Sequence, residues 1–413
     1  MPTHRASPSS APVGVGVDGA SPIGLILTGG GARAAYQVGV LSGVLEILDP
    51  DRSSDFKNPF AIICGSSAGA INAASLACGA NSPHMAVEHI RNLWENLRTD
   101  MVYRSGAAGL IYTGIRWFAM LFAGWLFPRV RSRNPRSLLD NAPLGKLLSS
   151  KLDFDRLHDN IARGCLQALA ITATGYTTGQ HLTFYQSHTT IKPWRRSLRR
   201  AVSCSINVDH VMASSSIPFV FAAQSLALDN QVEWCGDGSM RQLAPMSPAI
   251  HLGAKKIFVI GTGYKDDIHP ELRDTNPGYP SLAQIGGHAL SNIFLDSLSM
   301  DIERLERINE LLAQLPLNAL QSESLRTVST FSITPSRSLD EIAMSHLDEM
   351  PRAARALFRV LGVSPKLGSS DGGALISYLL FEASYTRELI SLGRADSLSR
   401  VEEVKAFFKE TPK

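Results

Sequence analysis

The sequence predicts an α/β fold: a mainly parallel central sheet with helices on both faces, followed by a helical C-terminal region. Three features predict it. Short apolar runs recur at Ile23–Thr28, Phe60–Cys64, Gln167–Thr172 and Ile257–Gly261, as expected of strands buried on both faces. The first two runs each lead into a glycine-bounded turn and then into helical spacing, which implies parallel pairing. After Pro280 the apolar period becomes helical.

The first twenty residues are rich in Ser, Pro, Gly and Ala and lack the apolar core of a cleavable signal peptide, so residues 1–21 are expected to be a disordered tail. Gly29, Gly30 and Gly31 close the first strand, and Val38, Leu41, Leu45 and Leu48 mark a helix over 34–48. Gly65–Gly69 is the second turn, and Ala70–Gly79 a helix of small residues. These elements open a catalytic domain expected over 22–262, with an insertion at about 82–150. The insertion starts with a helix carrying Ile90, Leu93, Trp94 and Leu97. Leu110–Phe127 follows, eighteen residues with Arg116 as the single charge, and then Arg129, Arg131, Arg133 and Arg136. His181–Gln186 and Val232–Asp237 are further strand candidates, and Lys192–Arg200 is a second basic cluster. Residues 263–413 are expected to be mainly helical and to pack on the catalytic domain. Ser281–Leu315 and Leu375–Leu392 are their helices, and Phe331–Ile333 a candidate edge strand.

Composition excludes several classes. In 413 residues, 44% are hydrophobic and 19% charged, which suits a chain with a large core and argues against wholesale disorder. A net charge of +3, with few aromatics among the basic clusters, gives no reason to expect nucleic acid as a partner. The five cysteines are odd in number and include no C-x-x-C pair, so reduced thiols in a cytoplasmic protein are expected and no zinc site.

The candidate chemistry centres on Gly65-Ser66-Ser67-Ala68-Gly69, a G-x-S-x-G pattern between a strand and a helix. A serine hydroxyl needs a base and donors for the oxyanion it creates. A sharp turn lifts Ser67 off the sheet edge and sets it at a helix N-terminus, where free N–H groups favour negative charge. Gly29, Gly30 and Gly31, ahead of Arg33, form a second candidate anion site. Gly29, Gly31 and Ala34 also satisfy the dinucleotide pattern G-x-G-x-x-A, but the second strand ends without the carboxylate that would hold a ribose.

With a Gly-Gly-Gly-x-Arg loop first and Gly-x-Ser-x-Gly second, the sequence resembles the patatin-like phospholipase family. Ala213-Ser214-Ser215-Ser216-Ile217-Pro218 matches that family's Ser-rich block, Gly236-Asp237-Gly238 its Asp-Gly block, and Pro245–Gly253 the segment after it. The resemblance covers roughly residues 23–261. It implies a three-layer α/β/α fold, hydrolysis of lipid acyl esters, and a Ser–Asp dyad in which Asp237 activates Ser67. The implied oxyanion donors are Gly29, Gly30, Gly31 and Ala68, with Arg33 as a phosphate contact or loop support. No metal or cofactor is required. Ala34 stands where the family usually has Gly, and Ser239 departs from its Asp-Gly-Gly.

Two rivals are readable. Asp371-Gly372-Gly373 repeats the Asp-Gly-Gly pattern, but lacks the Ser-rich block upstream and reads as a turn or helix cap. Asp237 with His251 would give the order of a Ser–Asp–His triad, although His251 reads as a surface histidine. Leu110–Phe127 reaches the lower limit of length for a span, but no second segment would bring the chain back and Gly114 and Arg116 weaken it, so residues 110–136 are expected to be a lid or a peripheral membrane contact, with a buried core helix as the alternative. The basic clusters are either attractors of anionic headgroups or solvated faces.

Overall fold

Four strands run parallel through the middle of the sheet, their side chains mostly buried on both faces, and a fifth joins them at the edge. The computed structural model describes residues 21–104, 137–264, 279–315, 326–363 and 372–409. The expected tail, the apolar and basic stretch 110–136, and Asp371 lie outside the described residues. The strands are β1 (Ile23–Leu27), β2 (Ile62–Ser66), β3 (Ala168–Gly175), β4 (His181–Ser187), β5 (Arg195–Arg196), β6 (Arg199–Ser203), β7 (Gln224–Leu228), β8 (Gln231–Asp237), β9 (Lys256–Ile260) and β10 (Ser329–Ile333). They form one sheet in the order β10-β9-β1-β2-β3-β4-β6-β5, with β8 pairing β3 and β7 pairing β8.

β10, β9, β1, β2 and β3 are mutually parallel. β4 turns back antiparallel to β3, and β8 lies antiparallel along the C-terminal end of β3, with Asp237 opposite Ala173. The strand alternation divides the core into two. Leu25, Leu27, Ile63, Leu169, Ile171, Phe258 and Ile260 face one apolar cluster. Ile26, Ile62, Cys64, Ala168, Ala170, Ile257 and Val259 face the other. With helices on both clusters, this is a three-layer α/β/α fold whose sheet has no wet face at its centre.

On the first face lie α1 (Ala35–Leu48), α2 (Ala68–Cys78) and α3 (Pro83–Glu95), joined by the C-terminal helix Ala383–Leu398. α1 and that C-terminal helix meet backbone to backbone. A Cβ on Gly39 would stand 2.0 Å from the Ile390 carbonyl oxygen, and one on Gly393 would stand 2.2 Å from that of Tyr36. Tyr36 Oη donates to Asp396 at 2.8 Å, and Arg394 holds Glu46 through two hydrogen bonds. The helix Ser297–Ala313 covers the second face through Leu298 and Leu305.

Local departures from expectation have local causes. The helix expected over Ser281–Leu315 is interrupted by a π turn at Asn292–Asp296. The one expected over Leu375–Leu392 is two helices, Gly373–Leu379 and Ala383–Leu398, separated by Leu380–Glu382. Phe331–Ile333 does lie in an edge strand, β10. The basic cluster Lys192–Arg200 contributes the two-residue edge strand β5 and the start of β6 beside it, and charge at that edge discourages pairing with another chain; Arg200 meets Asp229 at 2.6 Å. Among the described residues no helix is long and apolar enough to cross a membrane.

Because α1 and the C-terminal helix touch through backbone atoms, Gly39→Ala should force them apart. A loss of about 1–3 kcal/mol is expected, as for an overpacked core. Urea denaturation of the variant against the wild type measures it.

Candidate active site

Ser67 sits where the C-terminal end of β2 turns into α2, at φ 53° and ψ −130°. A left-handed backbone at a non-glycine residue costs about 1–3 kcal/mol and persists only where its surroundings impose it. Here the N-terminus of α2 presses on β1: a Cβ on Gly69 would stand 2.3 Å from the Leu27 carbonyl oxygen. The second glycine of the G-x-S-x-G pattern is therefore required by contact between elements as well as by the turn.

The Ser-rich block holds the turn in place. The Ser67 N–H donates to Ser214 Oγ at 2.9 Å, and Ser215 Oγ donates to the Ser67 carbonyl at 3.1 Å. The Asp237 N–H donates to the Ser216 carbonyl at 2.9 Å. Three consecutive serines thus connect the strained turn to the strand that carries Asp237. Ser66 points elsewhere, into hydrogen bonds with Thr172 and Gln242, both at 2.7 Å.

Ser67 Oγ donates to Asp237 Oδ2 at 2.5 Å across 170 positions of sequence. Asp237 is fully buried, and its other carboxylate oxygen accepts from the Ser239 N–H at 2.9 Å. Burial in a dry site pushes its pKa up to about 6; the hydrogen bonds from Ser67 and Ser239 pull the other way and offset this only in part. Trp234, three residues before Asp237 in β8, is half-exposed. Cys235 is fully buried, as strand alternation in β8 requires.

The glycine loop follows β1, beside this turn, so all three motifs gather at the C-terminal ends of the parallel strands, where open α/β sheets bind ligands. Gly31, Ser67 and Ala68 line one apolar cleft with Ile71, Trp94, Leu97, Leu148, Ile217 and Phe221. It is narrow and partly open to solvent. Such a lining suits a hydrocarbon chain and is a poor match for a nucleotide's phosphates. Arg33 turns away from it: the guanidinium is buried and engages Asp340, Ser377 and Tyr378.

The histidine rival is not brought to the site. His251 stacks on Trp194 with ring centroids 4.6 Å apart, and the Leu252 carbonyl beside it accepts from Gln167 at the start of β3, the opposite end of the strands from Ser67. It is half-buried rather than a surface residue, and desolvation with nearby arginines pushes its pKa down to about 4. Among the described residues no cluster of His, Cys, Asp or Glu could hold a metal ion.

Sequence reasoning missed the polar support under the site. Gln37 Nε2 donates to the Thr28 carbonyl at 2.8 Å, Asn72 Nδ2 to Gln37 and to the Ala34 carbonyl, both at 3.0 Å, and Trp94 Nε1 to Asn72 at 2.8 Å. This fully buried network ties the glycine loop to α1, α2 and α3. An asparagine inside the otherwise small and apolar Ala70–Gly79 helix was the available signal.

Comparison with known proteins defines the class. A family model described as patatin-like phospholipase matches residues 25–250, more than half of the chain, and the chain belongs to that family. The family places it among lipid acyl hydrolases in general, with lipid esters as substrates. No curated protein sequence matches it. Among solved structures, VipD from Legionella pneumophila aligns with 90% of this chain and 67% of its own at 14% identity, with a TM-score of 0.34, a likeness too weak to carry argument.

The raised pKa of Asp237 fixes a sign. A carboxyl whose folded value, about 6, lies above its ordinary 3.8 adds stability below the lower value and loses it as pH rises through the upper one. The charged carboxylate therefore destabilises the fold at pH 8, and Asp237→Asn should stabilise it there by ~1–3 kcal/mol, the gain shrinking below about pH 6. Thermal melts of both proteins at pH 5 and pH 8 check this.

Proposed function

We propose that the protein hydrolyses acyl esters of phospholipids or related lipids through an acyl-Ser67 intermediate, with Asp237 as the base. What carries this reading is one contact: the hydroxyl of a strained turn serine, 2.5 Å from a fully buried carboxylate, at the edge of an apolar cleft.

In the first step Ser67 Oγ attacks the ester carbonyl as its proton passes to Asp237 Oδ2. A carboxylate is a weak base in water. Burial strengthens it, since each unit of raised pKa is worth about 1.4 kcal/mol in proton affinity. The oxyanion forms beside the N-terminus of α2, within reach of the Ala68 N–H and the N–H groups of Gly29, Gly30 and Gly31. Asp237 returns the proton to the leaving alcohol, then takes one from the attacking water and passes it to Ser67 Oγ as the fatty acid is released. The acyl chain occupies the cleft lined by Ile71, Trp94 and Leu148, and the headgroup stays outside.

Residues 110–136 belong to this reading as the peripheral membrane contact. Among the described residues on either side of it, the Arg104 N–H donates to the Asp140 carbonyl at 2.9 Å and the Leu138 N–H to the Phe219 carbonyl at 2.8 Å. These described flanking residues therefore stand next to the Ile217–Phe221 wall of the cleft.

Ser67→Ala and Asp237→Asn should each lower kcat by at least ~10³-fold on a 4-nitrophenyl ester while keeping the fold, and His251→Ala should retain most activity. A fluorophosphonate probe should label the wild type at Ser67 and leave Ser67→Ala unlabelled. An Asp237→Asn enzyme of wild-type activity would remove the dyad. The wild-type kcat/KM should fall about tenfold per pH unit below about 6, as Asp237 takes up its proton.

Filling the cleft tests where the acyl chain lies. Leu148→Trp should lower kcat/KM for dodecanoyl esters ~10-fold or more and spare butanoyl esters. Equal losses on both would place the chain elsewhere.

A further inference from the structure

The glycine loop is held at every residue by chain that follows the matched family segment 25–250. Thr262 Oγ1 donates to the Gly29 carbonyl at 2.7 Å, and a Cβ on Gly30 would stand 2.7 Å from that same hydroxyl oxygen. A Cβ on Gly29 would stand 2.6 Å from the Phe294 ring, which comes from the π turn. Gly31, at φ +55°, faces the Tyr378 carbonyl, which a Cβ would approach to 2.2 Å. The next charged side chain, Arg33, fastens the loop from below. Its Nε donates to Ser377 Oγ at 2.8 Å, its terminal nitrogen bonds Asp340, and its guanidinium stacks 4.0 Å from the Tyr378 ring centroid. Ser377 Oγ in turn donates to Asp340 Oδ1 at 2.8 Å.

We infer that Arg33 is a positioning residue rather than a phosphate ligand, and that Asp340, Ser377 and Tyr378 act through it to fix the loop whose N–H groups meet the oxyanion. Arg33 is 3% exposed, and its planar fork is taken up by a carboxylate, a hydroxyl and a ring. None of this reaches the cleft, so substrate binding does not use it. Donors aimed at an oxyanion act only if they are in place before the charge develops. A loosened loop therefore costs turnover and leaves ground-state binding intact.

The inference rests on the acyl-hydrolase reading, and one experiment separates the two. Full-length wild type, Asp340→Asn, Asp340→Glu and Arg33→Lys are assayed for kcat and KM on a soluble 4-nitrophenyl butanoate, with Ser67→Ala as blank, and each is melted thermally. Asp340 is partly exposed, so Asp340→Asn keeps the test open if Arg33→Lys does not fold. The expected result is a fall in kcat of ~10-fold or more for Asp340→Asn, with KM within about twofold and partial recovery in Asp340→Glu. Wild-type kcat in Asp340→Asn, a loss confined to KM, or a lowered melting temperature with unchanged kcat would each overturn the positioning role and leave the acyl-hydrolase reading standing. If Ser67→Ala hydrolyses the ester as fast as the wild type, that reading falls and the inference falls with it.

Discussion

A fully buried carboxylate, 2.5 Å from a serine hydroxyl, is the constraint around which the rest of the structure is arranged. Neither partner is comfortable. The serine occupies a backbone region that L-residues avoid, and the carboxylate carries a charge that its surroundings disfavour. Each is held by bonds that come from the same place. Ser214 and Ser215 fasten the serine's backbone, Ser216 fastens that of the aspartate, and Thr174 donates to the Asp237 carbonyl at 2.8 Å. The sheet supplies the geometry, because β2 and β8 pair one after the other along the same edge of β3, Ser66 opposite Thr172 and Asp237 opposite Ala173, so that their C-terminal ends meet.

Much of this was legible in the residues. Continuous apolar runs identified the buried strands, since a strand covered on both faces has no reason to alternate. The pairing of Ser67 with Asp237 came from motif resemblance, because nothing in local spacing relates residues so far apart in the chain. What stayed hidden was of another kind. The direction of Arg33 is decided by Asp340, Ser377 and Tyr378, and no pattern around residue 33 announces them. The breaks at Asn292–Asp296 and Leu380–Glu382 were likewise invisible to a helical period that runs through both. The half-burial of His251 follows from Trp194, more than fifty residues away. Periodicity reports what an element is, while the identity of its tertiary neighbours needs the fold.

The glycine loop shows how a short motif can be over-read. Three glycines in a row suggest freedom, yet here each is crowded by Thr262, Phe294 or Tyr378. They are small because the space is full. The loop is rigid through packing, and its backbone N–H groups are thereby kept in a fixed direction. The same crowding sets the two sides of the loop apart: Gly31 lines the apolar cleft on one side, and the other side packs on protein.

The contact between α1 and the C-terminal helix carries a consequence for how the molecule is made. Arg394 and Glu46, which bridge it, are 348 residues apart. At about 5–20 residues per second, ribosomes need roughly 20–70 s to add that length of chain. Through that interval α1 waits with its glycine face open, and the neighbouring loop that would receive an oxyanion has no clamp. The nascent protein therefore exposes an apolar helix early and completes its catalytic apparatus late. Long sequence separation slows folding and lengthens the exposure to aggregation, and it also leaves the glycine loop unclamped until the later helices have emerged.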